Sequence, residues 1–217
     1  LFKEAGADFN ESDKEGNTAL MHMCMYDESL TAEKLQLFKE AGADFNKHED
    51  IQQATALMHM CDLGQSLTVE KLRLFKEAGA DFNESDSRGS TALMRMCGNA
   101  RSLTVGKLQL FKEAGADFNK SDSRGSTALM RMCLHDPLAL NDRPMGVEKL
   151  QVFKEAGTDF TKRNSRGSTA LMHLFLNGMC TRYGGRSMTA KKLDLFKEAG
   201  AEFTDRDADD FALLMLI

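Results

Sequence analysis

The sequence predicts an all-α protein, an α-solenoid of helix–loop–helix repeats with projecting turns. The first observation is a string, Leu-Phe-Lys-Glu-Ala-Gly, that recurs along the chain and once has Val in place of Leu. A second string, Thr-Ala-Leu-Met, recurs in step with it. The glycines that end the first string are Gly6, Gly42, Gly79, Gly115, Gly157 and Gly200. The regular intervals between these glycines are typical of stacked helical units that bury a shared core.

The third observation is that twelve of the fourteen phenylalanines occupy two fixed places in the repeat. The first column is Phe2, Phe38, Phe75, Phe111, Phe153 and Phe196, and the second is Phe9, Phe45, Phe82, Phe118, Phe160 and Phe203. One repeat is too small to bury both of its rings, but stacked repeats place each ring against a neighbour. We therefore expect the two columns to form a continuous core.

Each helix is predicted to begin and end at recognisable residues. Thr31 caps the second helix of its repeat, and Glu33 lies on the favourable side of the helix dipole. Gly42 ends that helix, because glycine readily adopts the left-handed conformation. A polar stretch such as 83–90 then forms a turn, and Thr91 opens the first helix of the next repeat. The positions equivalent to Thr31 are Thr68, Thr104, Gly146 and Thr189.

We predict a single domain over residues 1–217. Its complete repeats cover approximately 11–46, 47–83, 84–119, 120–161 and 162–204, with partial repeats at 1–10 and 205–217. The last two complete repeats are longer because one loop is extended, at 134–145 and at 176–188. These inserts occupy the same loop of adjacent repeats, so we expect them to lie side by side and to contribute to binding.

The recurring pattern Asp-x-x-Gly-x-Thr-x-Leu, followed by a short helix, a loop, a second helix and Gly-Ala-Asp-x-Asn, resembles the ankyrin repeat. The resemblance covers nearly the whole chain and recurs five times in register. It implies a solenoid whose first helices line a concave groove that the turns extend. Two departures stand out. Met94 and its equivalents replace a histidine that usually ties neighbouring turns together, and Lys39 and its equivalents replace a common leucine.

Composition excludes several classes of function. The chain has 217 residues, of which 42% are hydrophobic and 28% charged, as in ordinary folded proteins. A net charge of −5 argues against indiscriminate nucleic-acid binding, which depends on neutralising phosphates. No apolar run reaches the roughly 18 residues of a membrane span, so no membrane contact is expected. The odd number of cysteines, five, indicates a reducing, cytoplasmic setting, or a host cytosol if the parent is an effector.

Cysteine-containing segments are candidates for metal binding or disulfide formation. Residues 21–25, Met-His-Met-Cys-Met, concentrate soft ligands that suit Cu(I) or zinc. However, Cys24 and its equivalents recur once per repeat, and packed helices lie roughly 8–10 Å apart. That spacing is too wide for a disulfide or a shared tetrahedral metal. No motif of a nucleophilic, phosphate-binding or metalloprotease site occurs. We predict no metal, no cofactor and no enzymatic activity, and Cys180 as the most exposed thiol.

The residues that vary between repeats predict the binding surface. The slot residue, defined as the one directly after Thr-Ala-Leu-Met, is always basic, and it faces away from the buried positions of its helix. The turns add three arginines in one register. The predicted partner-binding residues are His22, Tyr26, His59, Arg88, Arg95, Arg124, Arg131, Arg166 and His173. The alternative interpretation is a set of solvated charges that keeps the protein in solution.

These observations predict an interaction module that binds a protein or peptide partner on its concave face, with acidic or phosphorylated segments favoured. Two other classes stay open: a regulatory or targeting segment of a larger protein, such as a host-directed effector, and a nucleic-acid binder with steep salt dependence. Residues 211–217 are apolar, so we expect either further parent sequence or self-association through the C-terminal end. Exchange of Arg95 and Arg131 for Glu is expected to weaken binding at least tenfold, about 1.4 kcal/mol, at nearly unchanged melting temperature.

Overall fold

The computed structural model of the protein describes residues 7–26, 30–63, 67–99, 103–135, 146–179 and 190–201. Most of both inserts, Cys180 and the apolar segment 211–217 lie outside the described residues. Within the described ranges, no helix is both long enough and apolar enough to cross a membrane.

The described residues form two series of α-helices. The first helices of successive repeats are α1 (Ala19–Tyr26), α3 (Ala56–Leu63), α5 (Ala92–Gly98), α7 (Ala128–Leu134) and α9 (Ala170–Met179). The second helices are α2 (Ala32–Ala41), α4 (Val69–Glu77), α6 (Val105–Glu113), α8 (Val147–Glu155) and α10 (Ala190–Glu198). First helices pack on first helices, and second helices on second helices. The predicted all-α solenoid, with two layers and contacts between neighbours, is confirmed.

The helix that Thr31 and Gly42 were predicted to delimit begins and ends at these residues. The hydroxyl of Thr31 accepts a hydrogen bond from the backbone N–H of Lys34 at 3.3 Å, which satisfies one donor of the first turn. Gly42 has a φ of +81°, and its N–H donates to the carbonyl of Lys39 at 3.1 Å. Gly146 begins α8 without a side-chain cap. Thr189 lies outside the described residues.

The phenylalanine columns form the core between the two layers. Each ring of the second column meets a first-column ring of the next repeat edge to face, as in Phe45 with Phe75 at a centroid distance of 5.3 Å. Phe160 and Phe196 repeat this contact at 5.0 Å. Such aromatic pairs contribute about 0.5–1.5 kcal/mol each beyond the area they bury. The expected continuous core is confirmed from Phe45 to Phe196, whereas Phe9 and Phe38 are half-buried. Phe2 and Phe203 lie outside the described residues.

The cysteine column is buried in the same core. Cys24, Cys61, Cys97 and Cys133 are fully buried thiols. Burial raises the pKa of Cys97 to about 12, so this thiol stays protonated at neutral pH. These side chains act as small apolar groups.

The family's turn-tying histidine is replaced by a methionine that lies against its own helix start. The Sδ atom of Met21 lies 3.4 Å from the backbone nitrogen of Thr18. Neighbouring repeats are also tied by an asparagine that lies between the second helix and the following turn. The Nδ2 group of Asn46 donates to the carbonyl of Gly79 at 2.9 Å, and its Oδ1 accepts from the N–H of Asp81 at 2.7 Å. The same two bonds are made by Asn10, Asn83 and Asn119.

Three of the lysines that replace a common leucine make ion pairs along the described second helices. Lys39 Nζ lies 2.9 Å from a carboxylate oxygen of Glu77, one repeat further on. The equivalent pairs are Lys112–Glu155 at 3.1 Å and Lys154–Glu198 at 2.6 Å. The side chains are partly exposed, so each pair contributes only about 0–1 kcal/mol.

Candidate partner-binding groove

The projecting turns are each held by one polar side chain at their first corner. In the third complete repeat, Asp86 Oδ1 accepts hydrogen bonds from the backbone N–H groups of Arg88 at 2.9 Å and Ser90 at 2.8 Å. Gly89 completes the turn with a φ of +74°, a conformation that favours glycine. The same two bonds are made in other turns by Asp13, Asp122 and Asn164. This geometry leaves the side chain of Arg88 exposed at the tip of its turn.

Backbone hydrogen bonds join consecutive tips into a row. The tip residues are Glu15, Gln52, Arg88, Arg124 and Arg166. The N–H of Ser123 donates to the carbonyl of Arg88, and the N–H of Ser165 to that of Arg124, both at 2.8 Å. The tips are therefore fixed to one another through the main chain. Among the described residues, no ion pair involves any of the three tip arginines, all of which are exposed.

The other side-chain oxygen of the acidic corner residue binds the slot residue of the same repeat. In the third repeat, Nη2 of Arg95 donates to Oδ2 of Asp86 at 2.7 Å. The equivalent contacts are His22–Asp13 and Arg131–Asp122, both at 2.7 Å, and His173–Asn164 at 3.3 Å. Each of these slot residues stands nine residues after its partner. One side chain thus shapes the turn and ties it to the following helix.

Arg95 departs furthest from the expectation that slot residues are open to a partner. Its side chain is 9% exposed and lies between Asp86 and Asp62, the latter from the preceding repeat. Burial opposes its charge, but the two carboxylates outweigh burial and raise its pKa. We therefore correct the expectation for the double exchange to Glu. A glutamate at position 95 would place three carboxylates together, so the melting temperature should fall.

Arg131 is held less tightly than Arg95. Its side chain is 25% exposed, and its Nη2 donates both to Asp122 and to the hydroxyl of Ser90 at 2.8 Å. Burial works against the charge of Asp122, but hydrogen bonds from Arg131 and from two backbone N–H groups hold its pKa below the usual range. Part of the Arg131 guanidinium stays accessible.

The slot histidines differ from the arginines. His22 is exposed and stacks on Tyr26 at a centroid distance of 6.1 Å, and Tyr26 is 77% exposed. In the part of the chain that is described, the buried Nε2 of His59 and Nδ1 of His173 have no hydrogen-bond partner. Burial lowers the pKa of both rings, and nearby arginines, Arg95 for His59 and Arg166 for His173, lower it further. Both rings are therefore held in the neutral form.

An open groove of about 620 Å³ lies between the third and fourth turns. It brings together four of the nine predicted residues, namely Arg88, Arg95, Arg124 and Arg131. Three acids missed by the sequence reasoning share this groove: Asp62, Asp86 and Asp122. The other five predicted residues are not part of this groove. His22, Tyr26 and Arg166 are exposed, whereas His59 and His173 are half-buried. The missed signal was the acid that stands nine residues before the slots His22, Arg95 and Arg131.

No protein-family model matches the chain, and no curated protein matches it. Among solved structures, the chain is similar to an ankyrin repeat domain from Acinetobacter baumannii AYE. The two chains share 23% of their residues and superpose with a TM-score of 0.69, over 90% of this chain and 88% of that chain. The protein has the ankyrin-repeat fold.

The ankyrin-repeat architecture explains why the tips and the slots meet. Each repeat contributes one turn and one first helix to the same side, and stacking repeats the pair at a constant spacing. The groove is therefore built from rows of equivalent residues.

Proposed function

We propose that this protein is a non-enzymatic scaffold that binds an acidic protein or peptide segment along the tips and groove of its last three complete repeats. The observation that carries the proposal is the row of exposed arginines at the tips, Arg88, Arg124 and Arg166, fixed by main-chain hydrogen bonds. Guanidinium groups form two-pronged, charge-assisted hydrogen bonds with carboxylates and phosphates. A row fixed by the scaffold presents such groups without first ordering a loop.

The slot arginines and the tip arginines have different parts in this proposal. Asp86 and Asp122 already balance most of the charge of Arg95 and Arg131 in the groove floor. The tip arginines therefore supply most of the unbalanced positive charge that a partner meets. Arg131 adds its accessible N–H groups, and Arg95 fixes the shape of the floor.

Apolar contacts are needed beside the charges, because exposed ion pairs contribute only about 0–1 kcal/mol each. Exposed apolar side chains lie in the first, second and fourth complete repeats: Tyr26 at 77% exposure, Ile51 at 68% and Leu134 at 45%. Ile51 belongs to the second turn, directly before the tip residue Gln52. We expect the partner to carry apolar side chains next to its acidic stretch, so that added salt weakens binding without abolishing it.

The histidine slots lie in the first, second and fifth complete repeats. His22 lies beside Tyr26 in the first complete repeat, and His173 lies in the fifth, the repeat of Arg166. His59 is half-buried in the second repeat. No proton transfer or covalent step is assigned to any of these residues.

The proposal is tested by fluorescence anisotropy with labelled dodecapeptides of poly-glutamate and poly-lysine. The wild type is expected to bind the acidic peptide and not the basic one. Replacing all three tip arginines by Ala should weaken acidic-peptide binding at least about tenfold, which corresponds to 1.4 kcal/mol. Far-UV circular dichroism should be unchanged, because these side chains are exposed and make no described ion pair.

The control removes the same charge from a different surface. Replacing Arg73, Lys76 and Lys191 by Ala takes three positive charges from the exposed sides of α4 and α10. This variant should bind the acidic peptide like the wild type. Equal losses in the two triple variants would show a general effect of net charge and contradict the proposed surface.

A further inference from the structure

The tip row has a constant spacing that a partner must match. Each tip is bonded to the next through the main chain, and the first helices beneath pack directly on one another. Packed helices lie about 8–10 Å apart. The turns that carry Arg88, Arg124 and Arg166 therefore recur at roughly that interval.

Regular backbones differ in the distance between side chains that share a face. In a polyproline II helix, three residues make one turn and each rises about 3.1 Å, so every third side chain recurs after about 9 Å. In a β-strand, side chains on one face recur every second residue, after about 6.6–6.8 Å. Only the first of these distances falls within the spacing of the repeats.

An α-helix also reaches a similar distance, about 10.5 Å, between residues seven apart. Three such contacts need a helix of about 15 residues, and isolated helices of that length are marginal in water. An extended segment covers the same three arginines with seven residues and no prior folding.

From this match of distances we propose that the partner segment binds in an extended, polyproline-like conformation with an acidic side chain at every third residue. The segment would read acid-x-x-acid-x-x-acid, one acid for each tip arginine. This inference rests on the proposed function and adds to it the register of the partner.

The test uses three labelled peptides of 15 residues with identical composition and three glutamates. The glutamates stand three, two or seven residues apart, in a background of Pro, Ser and Gln. Anisotropy titration is expected to show the three-spaced peptide binding about tenfold more tightly than the two-spaced one, since only the former engages all three arginines. The seven-spaced peptide should not exceed it.

Variants decide whether the preference comes from the row. Arg124→Ala removes the middle group and should reduce the advantage of the three-spaced peptide to a few-fold at most, whereas Arg73→Ala should leave it unchanged. Equal affinities for all spacings, or a preference for a spacing of two or seven, would contradict the proposed three-residue spacing of the acids. The proposed binding of acidic peptides would still stand. Failure of every acidic peptide to bind would overturn the proposed function as well.

Discussion

The turns of the first and the fifth complete repeats share one backbone design and carry opposite charge. Residues 10–18 contain three acids and one lysine, whereas residues 161–169 contain three basic residues and no acid. In both turns the first corner residue accepts hydrogen bonds from the N–H groups two and four positions later. That residue is Asp13 in one turn and Asn164 in the other, so the backbone requires an oxygen acceptor and not a charge.

The comparison separates what builds the scaffold from what selects a partner. The turn needs an acceptor, a residue with positive φ, which is Gln53 in the second turn and glycine in the others, and a main-chain bond to the next turn. The tip side chain takes no part in these requirements. It changes from Glu15 through Gln52 to the three arginines without altering the bond between tips. Charge at the tips is therefore free to vary with the partner.

The largest expected effect is a difference in stability loss between two variants, one at a charged corner residue of a turn and one at a neutral corner residue. Asp86→Ala leaves the buried guanidinium of Arg95 without one of its two carboxylates, and the turn loses its acceptor. Breaking a buried ion pair costs about 3–5 kcal/mol. Asn164→Ala removes only neutral hydrogen bonds and should cost about 1–2 kcal/mol. Urea-unfolding midpoints of the two variants measure the difference.

Asp86→Asn separates the two tasks of this side chain. The amide retains the acceptor for the N–H groups of Arg88 and Ser90 but lacks the charge that balances Arg95. Its stability should lie between that of the wild type and that of Asp86→Ala. If Asp86→Ala and Asn164→Ala lose equal stability, the ion pair with Arg95 is not the dominant contribution.

The second prediction extends the arginine row into the acidic half of the molecule. Glu15→Arg and Gln52→Arg together would place arginines at five consecutive tips on the existing backbone. A peptide with five glutamates at every third residue should then bind up to about tenfold more tightly than to the wild type, from two additional exposed pairs. Anisotropy titration checks this.

The control for the extended row changes charge at neighbouring exposed positions. Glu11→Arg with Asp50→Arg alters the same two turns away from their tips. An equal gain in this variant would mean that the overall field, and not the row, attracts the peptide.

The sequence predicted the fold well because its signals are local and repeated. Thr31 and Gly42 mark helix ends by their own backbone preferences, and the recurrence of such residues indicated stacking without any distant contact. The chemistry of the slot was harder to predict. One ion pair of Arg95 is made with Asp62, which lies 33 residues earlier in the chain. The two residues come close only after two repeats have packed.

The pairing within one repeat was within reach of sequence reasoning. Asp86 and Arg95 stand nine residues apart, and the same interval recurs at Asp122 and Arg131. Their distance in space depends on how sharply the turn folds back on its helix. Periodicity identifies which residues are equivalent, but it does not show whether equivalent charges face solvent or each other.

The third prediction concerns Asp62, the half-exposed acid that bridges to Arg95 from the preceding repeat. Asp62→Asn removes one negative charge from the groove and frees Nη1 of Arg95 for a ligand. Binding of the three-spaced acidic peptide should strengthen about two- to fivefold. Asp50→Asn removes an equal charge outside the groove and should have a smaller effect; equal gains would point to long-range attraction alone.

The smallest expected effect is a dependence of stability on pH that distinguishes the histidine slots from the arginine slots. Burial and Arg95 lower the pKa of His59 below its ordinary value of about 6.5. Glu49, Asp62 and His22 also act on this ring, and the two carboxylates partly offset the shift. Arg131, in an equivalent slot, does not titrate in this range.

Because the pKa of His59 is lower in the folded state, the unfolded chain binds its proton first as the pH falls below about 6.5. The free energy of unfolding should therefore decrease from pH 7.5 to 5.5. The lowered pKa values of Glu49 and Asp122 affect stability only in more acidic solution, below the ordinary range of carboxylates. His59→Gln should consequently lose less stability over this window than the wild type, as measured by urea midpoints at each pH. Parallel pH profiles would show that the buried ring of His59 is not the group that titrates.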